Sequence, residues 1–175
     1  MKRSIELEKE AVLMTAGHMA AAARTAPKTR GQDNIWIFAV KDEKTRRSLV
    51  ETMKTISKRE ERPSFERDAN SVSASHAIIA IGVRSNPAGL NCGFCGYKTC
   101  EELKKTKGVC AYNSIDLGIA VSSAAEMANR FRIDNRLMYS IGRACLDLEL
   151  FGRDVKQALG IPLSATGKNP YFDRK

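Results

Sequence analysis

Hydrophobic residues, with one histidine among them, recur every three or four positions along the first part of the chain. This is the spacing of one face of an α-helix, and it predicts a helix over residues 5–24 with that face against the core. We call this face the N-terminal stripe; it consists of Leu7, Ala11, Met14, His18 and Ala22. Pro27 and Gly31 then predict a break in the chain.

Two later runs lack the helical period and are rich in strand-forming residues. Ile35–Val40 predicts a short strand. Residues 77–83 carry no polar side chain, which is typical of a central strand covered on both faces. Between the two runs, Asp42 is placed to cap a second helix. The residues expected on the inward face of that helix are Leu49, Val50, Met53 and Ile56.

A further helix is predicted over residues 114–130, with Ser114 as its N-cap and Asp116 in its first turn. Because its interior is crowded with small residues, we expect close helix packing at the centre of the domain or at a dimer interface. The other predicted segments are a weak helix over 65–74, a short strand over 137–141, short helices over 143–150 and 153–159, and an irregular tail from 160 onwards. Helices alternating with a few strands indicate an α+β or α/β fold.

The length of 175 residues suits one compact domain, so 1–175 is taken as a single domain. No apolar run approaches the roughly 20 residues that span a bilayer. The N-terminal segment is too acidic for a signal peptide. We therefore expect a cytoplasmic protein without a membrane partner.

The formal net charge of +9 is the main compositional bias. A basic surface attracts nucleic acid, anionic membrane or an acidic redox partner. The basic residues alternate with Asp and Glu rather than forming a block, which favours solvated helix faces. Few aromatic residues accompany them, so we do not expect a nucleic-acid partner.

The cysteine content indicates metal or redox chemistry, because five cysteines without a secretory signal argue against a disulfide framework. Four of them lie in one stretch: Cys92, Cys95, Cys100 and Cys110. A 4Fe–4S cluster takes four thiolates, and closely spaced thiolates reach it only where the backbone curls around it. Gly93 and Gly96 allow the φ values that such a curl needs. The sequence therefore predicts a 4Fe–4S segment over residues 86–112, embedded in the domain.

The residues beside Cys100 predict the start of a helix. Thr99 and Glu102 match the capping-box pattern, which places Cys100 at the first helical position. The positive end of that helix, with Lys98 beside it, favours a negatively charged cluster.

Other states of these thiols stay open. Tetrahedral zinc also takes four cysteines, although structural zinc sites usually pair two C-x-x-C knuckles across a longer gap, and unliganded thiols are a third state. The fifth cysteine, Cys145, is expected to be a small buried residue. The alternative is that Cys145 replaces Cys110 as a ligand.

The string Cys-Gly-Phe-Cys-Gly-Tyr-Lys-Thr-Cys over residues 92–100 resembles the small 4Fe–4S domain of electron-transfer and corrinoid-linked proteins. That domain has the pattern C-G-x-C-G-x-x-x-C followed by a later cysteine. The gap before Cys110 is shorter than is usual there. The resemblance implies a cluster held by these four cysteines.

Three further segments resemble the flavin-dependent nitroreductases. Residues 23–36 resemble the A-R-x-A-P-S helix end and the N-x-Q-P-W strand start, residues 116–120 resemble D-x-G-x-A, and residues 159–162 spell L-G-I-P. The whole combination resembles an uncharacterised family of ferredoxin-domain proteins with a nitroreductase-like core. It implies an α+β fold with a mixed or antiparallel sheet flanked by helices, an iron–sulfur loop after a central strand, and a homodimer with FMN at its interface.

The resemblance also implies a place for the flavin phosphate. The N-terminal arginine-serine motif of the nitroreductases is reduced here to Lys2-Arg3-Ser4. A phosphate needs several cationic or amide donors. The residues predicted to bind FMN are Arg24, Lys28, Arg30, Gly167 and Lys168.

The first functional hypothesis is an iron–sulfur redox protein, linked to flavin as an oxidoreductase of nitroreductase type, with a redox partner protein or a small molecule as electron acceptor. No catalytic residue is predicted. The alternative is a non-enzymatic module with a structural iron–sulfur or zinc site, whose basic surface binds nucleic acid or an acidic protein. The sequence contains no G-x-S-x-G, H-E-x-x-H or P-loop motif of a hydrolase.

Overall fold

The computed structural model describes residues 1–106 and 108–172. Its helices are α1 (Ser4–Thr25), α2 (Glu43–Arg59), α3 (Pro63–Ser73), α4 (Cys100–Lys104), α5 (Ala111–Arg130) and α6 (Tyr139–Asp147). Its strands are β1 (Ile35–Val40), β2 (Ala77–Arg84), β3 (Asp134–Asn135) and β4 (Val155–Ser164). A 3₁₀ turn, Thr29–Gly31, follows α1. Within this described part of the chain, no helix combines the length and the hydropathy that crossing a membrane requires.

The strands form one antiparallel sheet in the order β1-β2-β4-β3. β2 lies at its centre, where Val83 is opposite Ile35 of β1 and Ala77 is opposite Leu163 of β4. Its residues are buried except for the last, which confirms the predicted strand covered on both faces. β3 is short and pairs with β4 only at Leu163 and Ser164.

Helices cover both faces of the sheet, which confirms the α+β prediction. α1 and α5 pack together on one face, where Ala120, Ala124 and Ala128 of α5 are fully buried. These side chains are small, so α1 approaches closely, as predicted for a helix at the centre of the domain. The other face is covered by α2, α3 and α6. Asp42 caps α2 as predicted, since its carboxylate accepts from the backbone N–H of Thr45 at 2.7 Å.

α1 forms where predicted, but the prediction that the N-terminal stripe faces the core is wrong. The buried residues of α1 lie one position beyond the stripe: Val12, Thr15, Ala16, Met19 and Ala23. Leu7 and Met14 of the stripe are 52% and 64% exposed. One residue is about 100° of helix rotation, which is enough to turn the stripe to the surface. The pattern did not select the inward face because two adjacent faces of α1 are apolar.

α5 begins three residues earlier than predicted, and its N-cap is Cys110 rather than Ser114. The first turn is fixed from outside the helix, because the side-chain amide of the buried Asn113 donates to the backbone oxygen of Arg84 at 2.8 Å. Asp116 is therefore not in the first turn and has a different role, described below.

The C-terminal part departs most from the predictions. Residues 137–141 are not a strand, since Met138 forms only an isolated bridge to Gly160 and α6 begins at Tyr139. Residues 153–159 are not a helix, because β4 occupies most of that segment and extends into the predicted irregular tail. The sheet decides this outcome: pairing with β2 along the length of β4 outweighs the local sequence preference. Residues 173–175 of the tail lie outside the described part of the chain.

The helix predicted over 143–150 is α6, which begins and ends earlier in the chain. α6 lies directly on β4 because Gly142 has no side chain. A Cβ at this position would lie 1.8 Å from the backbone oxygen of Ala158. Gly160 has the same role on the strand, since a Cβ there would meet the side chain of Ile141 at 2.2 Å.

Candidate metal centre

Residues 86–112, which we call the cysteine segment, connect the end of β2 to the start of α5. The segment therefore lies at one end of the central strand. Gly93 and Gly96 have φ values of 76° and 85°, in the region that glycine adopts without strain. The backbone N–H of Gly96 donates to the oxygen of Gly93 at 2.9 Å, which closes a tight turn. The predicted curl of the backbone between the cysteines is therefore confirmed.

Asn91 fastens this turn to the third cysteine. Its side-chain oxygen accepts from the backbone N–H of Cys100 at 2.8 Å, and its own N–H donates to Cys100 Sγ at 3.4 Å. Its φ of 48° is a left-handed value that asparagine tolerates better than most residues. Sequence reasoning missed this residue. The available signal was an asparagine directly before the first cysteine.

The predicted helix cap is present with one difference. Thr99 Oγ1 accepts from the backbone N–H of Glu102 at 3.2 Å, and Cys100 is the first residue of α4, as predicted. The carboxylate of Glu102 accepts from the N–H of Lys98 at 3.0 Å, one residue before the expected donor. The cap therefore also holds the residue that precedes it.

The four thiols differ in exposure. Cys92 is exposed, Cys95 and Cys100 are half-buried, and Cys110 is buried. Cys110 forms a small apolar cluster with Ala88 and Leu103, against which Cys95, Tyr97 and Tyr112 pack. The turn thus folds back on the start of α5 and brings Cys95 to the neighbourhood of Cys110.

A second contact joins the turn to α5. The exposed ring of Phe94 stacks on Tyr112, with ring centroids 5.7 Å apart and an interplanar angle of 7°. Within residues 1–106 and 108–172, no group of three or more His, Cys, Asp or Glu side chains is close enough together to hold a metal. The segment gathers the donor residues, and binding a cluster would have to draw their sulfur atoms together.

Cys145 lies apart from this segment. It is fully buried on α6, in the core between the sheet and the α2–α3–α6 layer, whereas Cys110 begins α5 on the opposite face. Burial raises the pKa of the Cys145 thiol to about 12. A protonated core thiol fits the expectation that Cys145 is a small buried residue.

Three of the residues predicted to bind FMN, namely Arg24, Lys28 and Arg30, lie in the last turn of α1 and in the segment that follows it. We call residues 24–31 the basic loop. Arg24 donates to the Asp33 carboxylate and, at 2.8 Å, to the backbone oxygen of Ile35. Lys28 donates to the backbone oxygens of Arg24 and Ala26. Arg24 therefore joins the end of α1 to the start of β1, whereas Lys28 caps the backbone oxygens at the end of α1.

The other two predicted FMN residues, Gly167 and Lys168, are not brought to this place. They follow β4, whose last residues are next to the Ala77 end of β2, whereas the basic loop adjoins Ile35 at the opposite end. Within one protomer, the five residues therefore do not form a single phosphate site.

Asp116 has a role that the sequence did not reveal. Its buried carboxylate accepts from Thr29, with Oδ1 3.0 Å from the backbone N and 2.8 Å from Oγ1. It therefore holds the 3₁₀ turn against α5. From that turn, Arg30 donates to the backbone oxygen of Ala88 at 3.2 Å, so the basic turn supports the entry to the cysteine segment.

Sequence comparison identifies a family and a relative. Residues 106–174 match the model of a family described as uncharacterized protein containing a ferredoxin domain. A protein of Archaeoglobus fulgidus, itself described as uncharacterized, is 41% identical over 178 residues. The alignment covers 97% of this chain and 95% of that relative.

Solved structures share the fold at low sequence identity. A nitroreductase with bound FMN from Desulfitobacterium hafniense has a TM-score of 0.62 at 15% identity, over 92% of this chain and 82% of that one. NfrA2 of B. megaterium has a TM-score of 0.61 at 13% identity, over 89% of this chain. The present chain spans only 58% of NfrA2. The core is therefore a nitroreductase-like α+β fold.

Proposed function

The chain belongs to the family of uncharacterized proteins containing a ferredoxin domain, and on this basis we propose that it is an iron–sulfur redox protein. The proposed ligands of its 4Fe–4S cluster are Cys92, Cys95, Cys100 and Cys110. We assign the cluster to the embedded segment 86–112 of a single domain.

The observation that carries the proposal is the backbone of the cysteine segment. The turn at Gly93 and Gly96 curls the chain between the first three thiols and packs the middle one near Cys110. The N–H of Asn91 already donates to Cys100 Sγ. Hydrogen bonds to ligand sulfur are one of the means by which proteins set the potential of such clusters.

A bound cluster would supply one-electron transfer. The four proposed ligands differ in exposure, and this difference gives them different roles. Cys110 is buried at the start of α5, so its sulfur atom would be the most rigidly held of the four ligands. Cys92 is exposed, so this side of the site is open to an electron-transfer partner.

Chemical analysis of protein purified without oxygen tests the proposal. We expect a brown protein with about four iron and four acid-labile sulfide per chain. Replacing Cys92, Cys95 or Cys100 by serine should remove the colour. Stoichiometric zinc without sulfide would refute the cluster.

Zinc would instead support the alternative function, a non-enzymatic module with a structural metal site. Four cysteine ligands suit zinc as well as iron–sulfur clusters. The basic surface would then serve to bind nucleic acid or an acidic protein. Metal and sulfide analysis identifies the zinc form of this module, because only an iron–sulfur site contains sulfide. Its iron–sulfur form would contain sulfide but would not be reduced and reoxidised reversibly.

FMN is a further proposed redox group, favoured by the shared fold with the FMN-containing nitroreductase. Titration of FMN into the protein should quench flavin fluorescence saturably. Because the predicted residues lie at two ends of the sheet, single variants decide which end binds. If only Arg30→Ala abolishes the quenching, the flavin binds at the basic loop. If only Lys168→Ala abolishes it, the flavin binds at the C-terminal segment. No quenching at high protein concentration would leave the cluster as the only redox centre.

We also propose that the protein is a homodimer. The N-terminal stripe is exposed, and Ile115 and Ile119 of the neighbouring α5 are 43% and 37% exposed. Exposed apolar surface of this extent on adjacent helices is typical of an interface. A second copy of the chain is the proposed occupant.

A further inference from the structure

Two adjoining pockets lie beside the first half of α5. The first is a cleft of about 370 Å³ between α5, α6 and β4. Its walls are mainly apolar, from Leu117, Leu146 and Leu159, and the ring of Tyr139 stands at its side. We call it the apolar cleft.

The second pocket, of about 360 Å³, has a different character. It is lined by three cations, Arg84, Arg153 and Lys156, and by a single carboxylate, Asp154. The polar residues Asn34, Ser85 and Asn86 complete this lining, and Asn86 lies at the entry to the cysteine segment. We call it the basic pocket. Arg153 Nε also lies 3.5 Å from a carboxylate oxygen of Glu149, so the net positive charge comes mainly from Arg84 and Lys156. This charge favours a negatively charged group.

Lys156 lines both pockets, which makes them two parts of one surface. The long aliphatic stem of a lysine can follow an apolar wall while its ammonium group reaches a polar one. Arg84 is held in place from behind, since its guanidinium lies 4.8 Å from the centre of the Trp36 ring.

The fold explains why the cleft is open. β3 covers β4 only at its last two residues, so among the described residues the earlier part of β4 has no strand on that side. On the helical wall, Gly118 leaves space, because an added Cβ would meet no atom within 4 Å. The cleft is therefore open because β3 is short and because residue 118 is a glycine.

We propose that the apolar cleft and the basic pocket together bind a small planar aromatic compound that carries an anionic group. The ring system lies between the leucines of the cleft, and the anion reaches the cations of the basic pocket. Pockets of a few hundred Å³ with apolar walls and a few convergent polar groups are the usual form of small-molecule sites. The charge of the basic pocket selects an anion over a neutral compound of the same shape.

The site is close to the cysteine segment. Ser114 and Gly118 on its wall are one and two helical turns after Cys110, about 6 and 12 Å along the helix axis at 1.5 Å per residue. The proposal concerns binding alone and does not depend on whether the segment holds a cluster. If it does, the bound compound is beside it.

Binding of anthraquinone-2-sulfonate, a planar anionic probe, to the full-length protein tests the proposal. Equilibrium dialysis should show one saturable site per chain. The neutral 2-(hydroxymethyl)anthraquinone should bind at least about tenfold more weakly, as expected for loss of a charge-assisted contact. Absence of saturable binding, or equal binding of the neutral compound, would overturn the proposal.

Matched variants locate the site. Gly118→Leu fills the cleft and should weaken probe binding by about tenfold or more. Gly17→Leu is its control, since Gly17 is also a helical glycine with no atom within 4 Å of an added Cβ. The pair Arg153→Ala and Lys156→Ala should weaken binding, whereas Lys54→Ala with Lys58→Ala on α2 should not. Unchanged binding by Gly118→Leu, with native circular dichroism, would refute this location.

Discussion

At the scale of single residues, Cys110 and Cys145 are both buried thiols, but their surroundings differ. Cys110 is the N-cap of α5, beside the cysteine segment. Cys145 is enclosed by core side chains, and burial raises its pKa to about 12. A cluster ligand is a thiolate, so the second environment opposes ligation.

We therefore predict opposite effects for the two cysteines. Cys110→Ser should remove the iron and the visible absorbance of anaerobically purified protein, because it deletes the fourth ligand. Cys145→Ala should leave both unchanged and only reduce stability by leaving a small cavity. The measurement is iron and sulfide per chain. A colourless Cys145→Ala protein together with a brown Cys110→Ser protein would show that the fourth ligand is wrongly assigned.

Asp116 shows how a single residue connects distant segments. We predict that Asp116→Ala lowers the free energy of unfolding by roughly 1–3 kcal/mol, because the N–H and hydroxyl of Thr29 lose their acceptor. Thermal unfolding of Asp116→Ala, Thr29→Ala and the double variant measures the coupling. We expect at least about 0.5 kcal/mol of non-additivity. Strictly additive effects would mean that this contact does not hold the turn.

The site could be predicted from the sequence only in part. The glycines and Thr99 act through local backbone geometry, which short motifs encode. Asn91 accepts a hydrogen bond from Cys100, nine residues later, and Asp116 accepts one from Thr29, 87 residues earlier. No local sequence pattern encodes such pairings. The same reason explains why Gly167 and Lys168 were grouped with the basic loop although the sheet separates them.

At the scale of elements, the contact between α6 and β4 depends on a glycine. We predict that Gly142→Ala lowers the free energy of unfolding by about 1–3 kcal/mol or more, because the added Cβ overlaps the backbone of β4. Gly118→Ala is the control: its Cβ meets open space, and it should raise stability by about 0.4–1 kcal/mol. Thermal unfolding followed by circular dichroism compares them. Equal midpoints for Gly142→Ala and the unsubstituted protein would contradict this account of the packing.

The elements that were predicted correctly are those whose local and tertiary preferences agree. α2 has a cap and one apolar face, and β2 is apolar throughout because both of its faces are covered. β4 was missed because its pairing with β2, a strand far away in the sequence, defines it. In α1 the helix was predicted and its rotation was not, because two adjacent faces are apolar and only contact with α5 selects one.

At the scale of the whole molecule, part of the positive charge is balanced within the fold. Arg59 and Arg143 pair with Glu60 and Asp147, at N–O distances of 2.9 to 3.2 Å, and this group joins α2 to α6. Exposed pairs contribute little stability individually. Their effect here is to neutralise cations within the fold, including Arg143, which also lines the apolar cleft.

The N-terminal stripe is the corresponding apolar feature of the whole molecule. Its His18 stacks on the exposed Phe131 at the end of α5, with ring centroids 5.2 Å apart, so the apolar surface continues from one helix to the other. A stable interface usually buries about 800 Å² on each partner. The stripe alone is narrow, and the exposed side of α5 supplies the additional area.

We predict that Met14→Glu converts a dimer to a monomer at micromolar concentration. Met14 is 64% exposed, so the substitution costs little in an isolated chain, but in a dimer it places an unpaired charge in an apolar interface. Leu150→Glu, at another exposed apolar position, should leave the dimer intact. Light scattering gives the mass of each variant. A monomeric unsubstituted protein, or a dimeric Met14→Glu protein, would exclude the N-terminal stripe as the dimer interface. The exposed apolar residues of the stripe would then require a different partner.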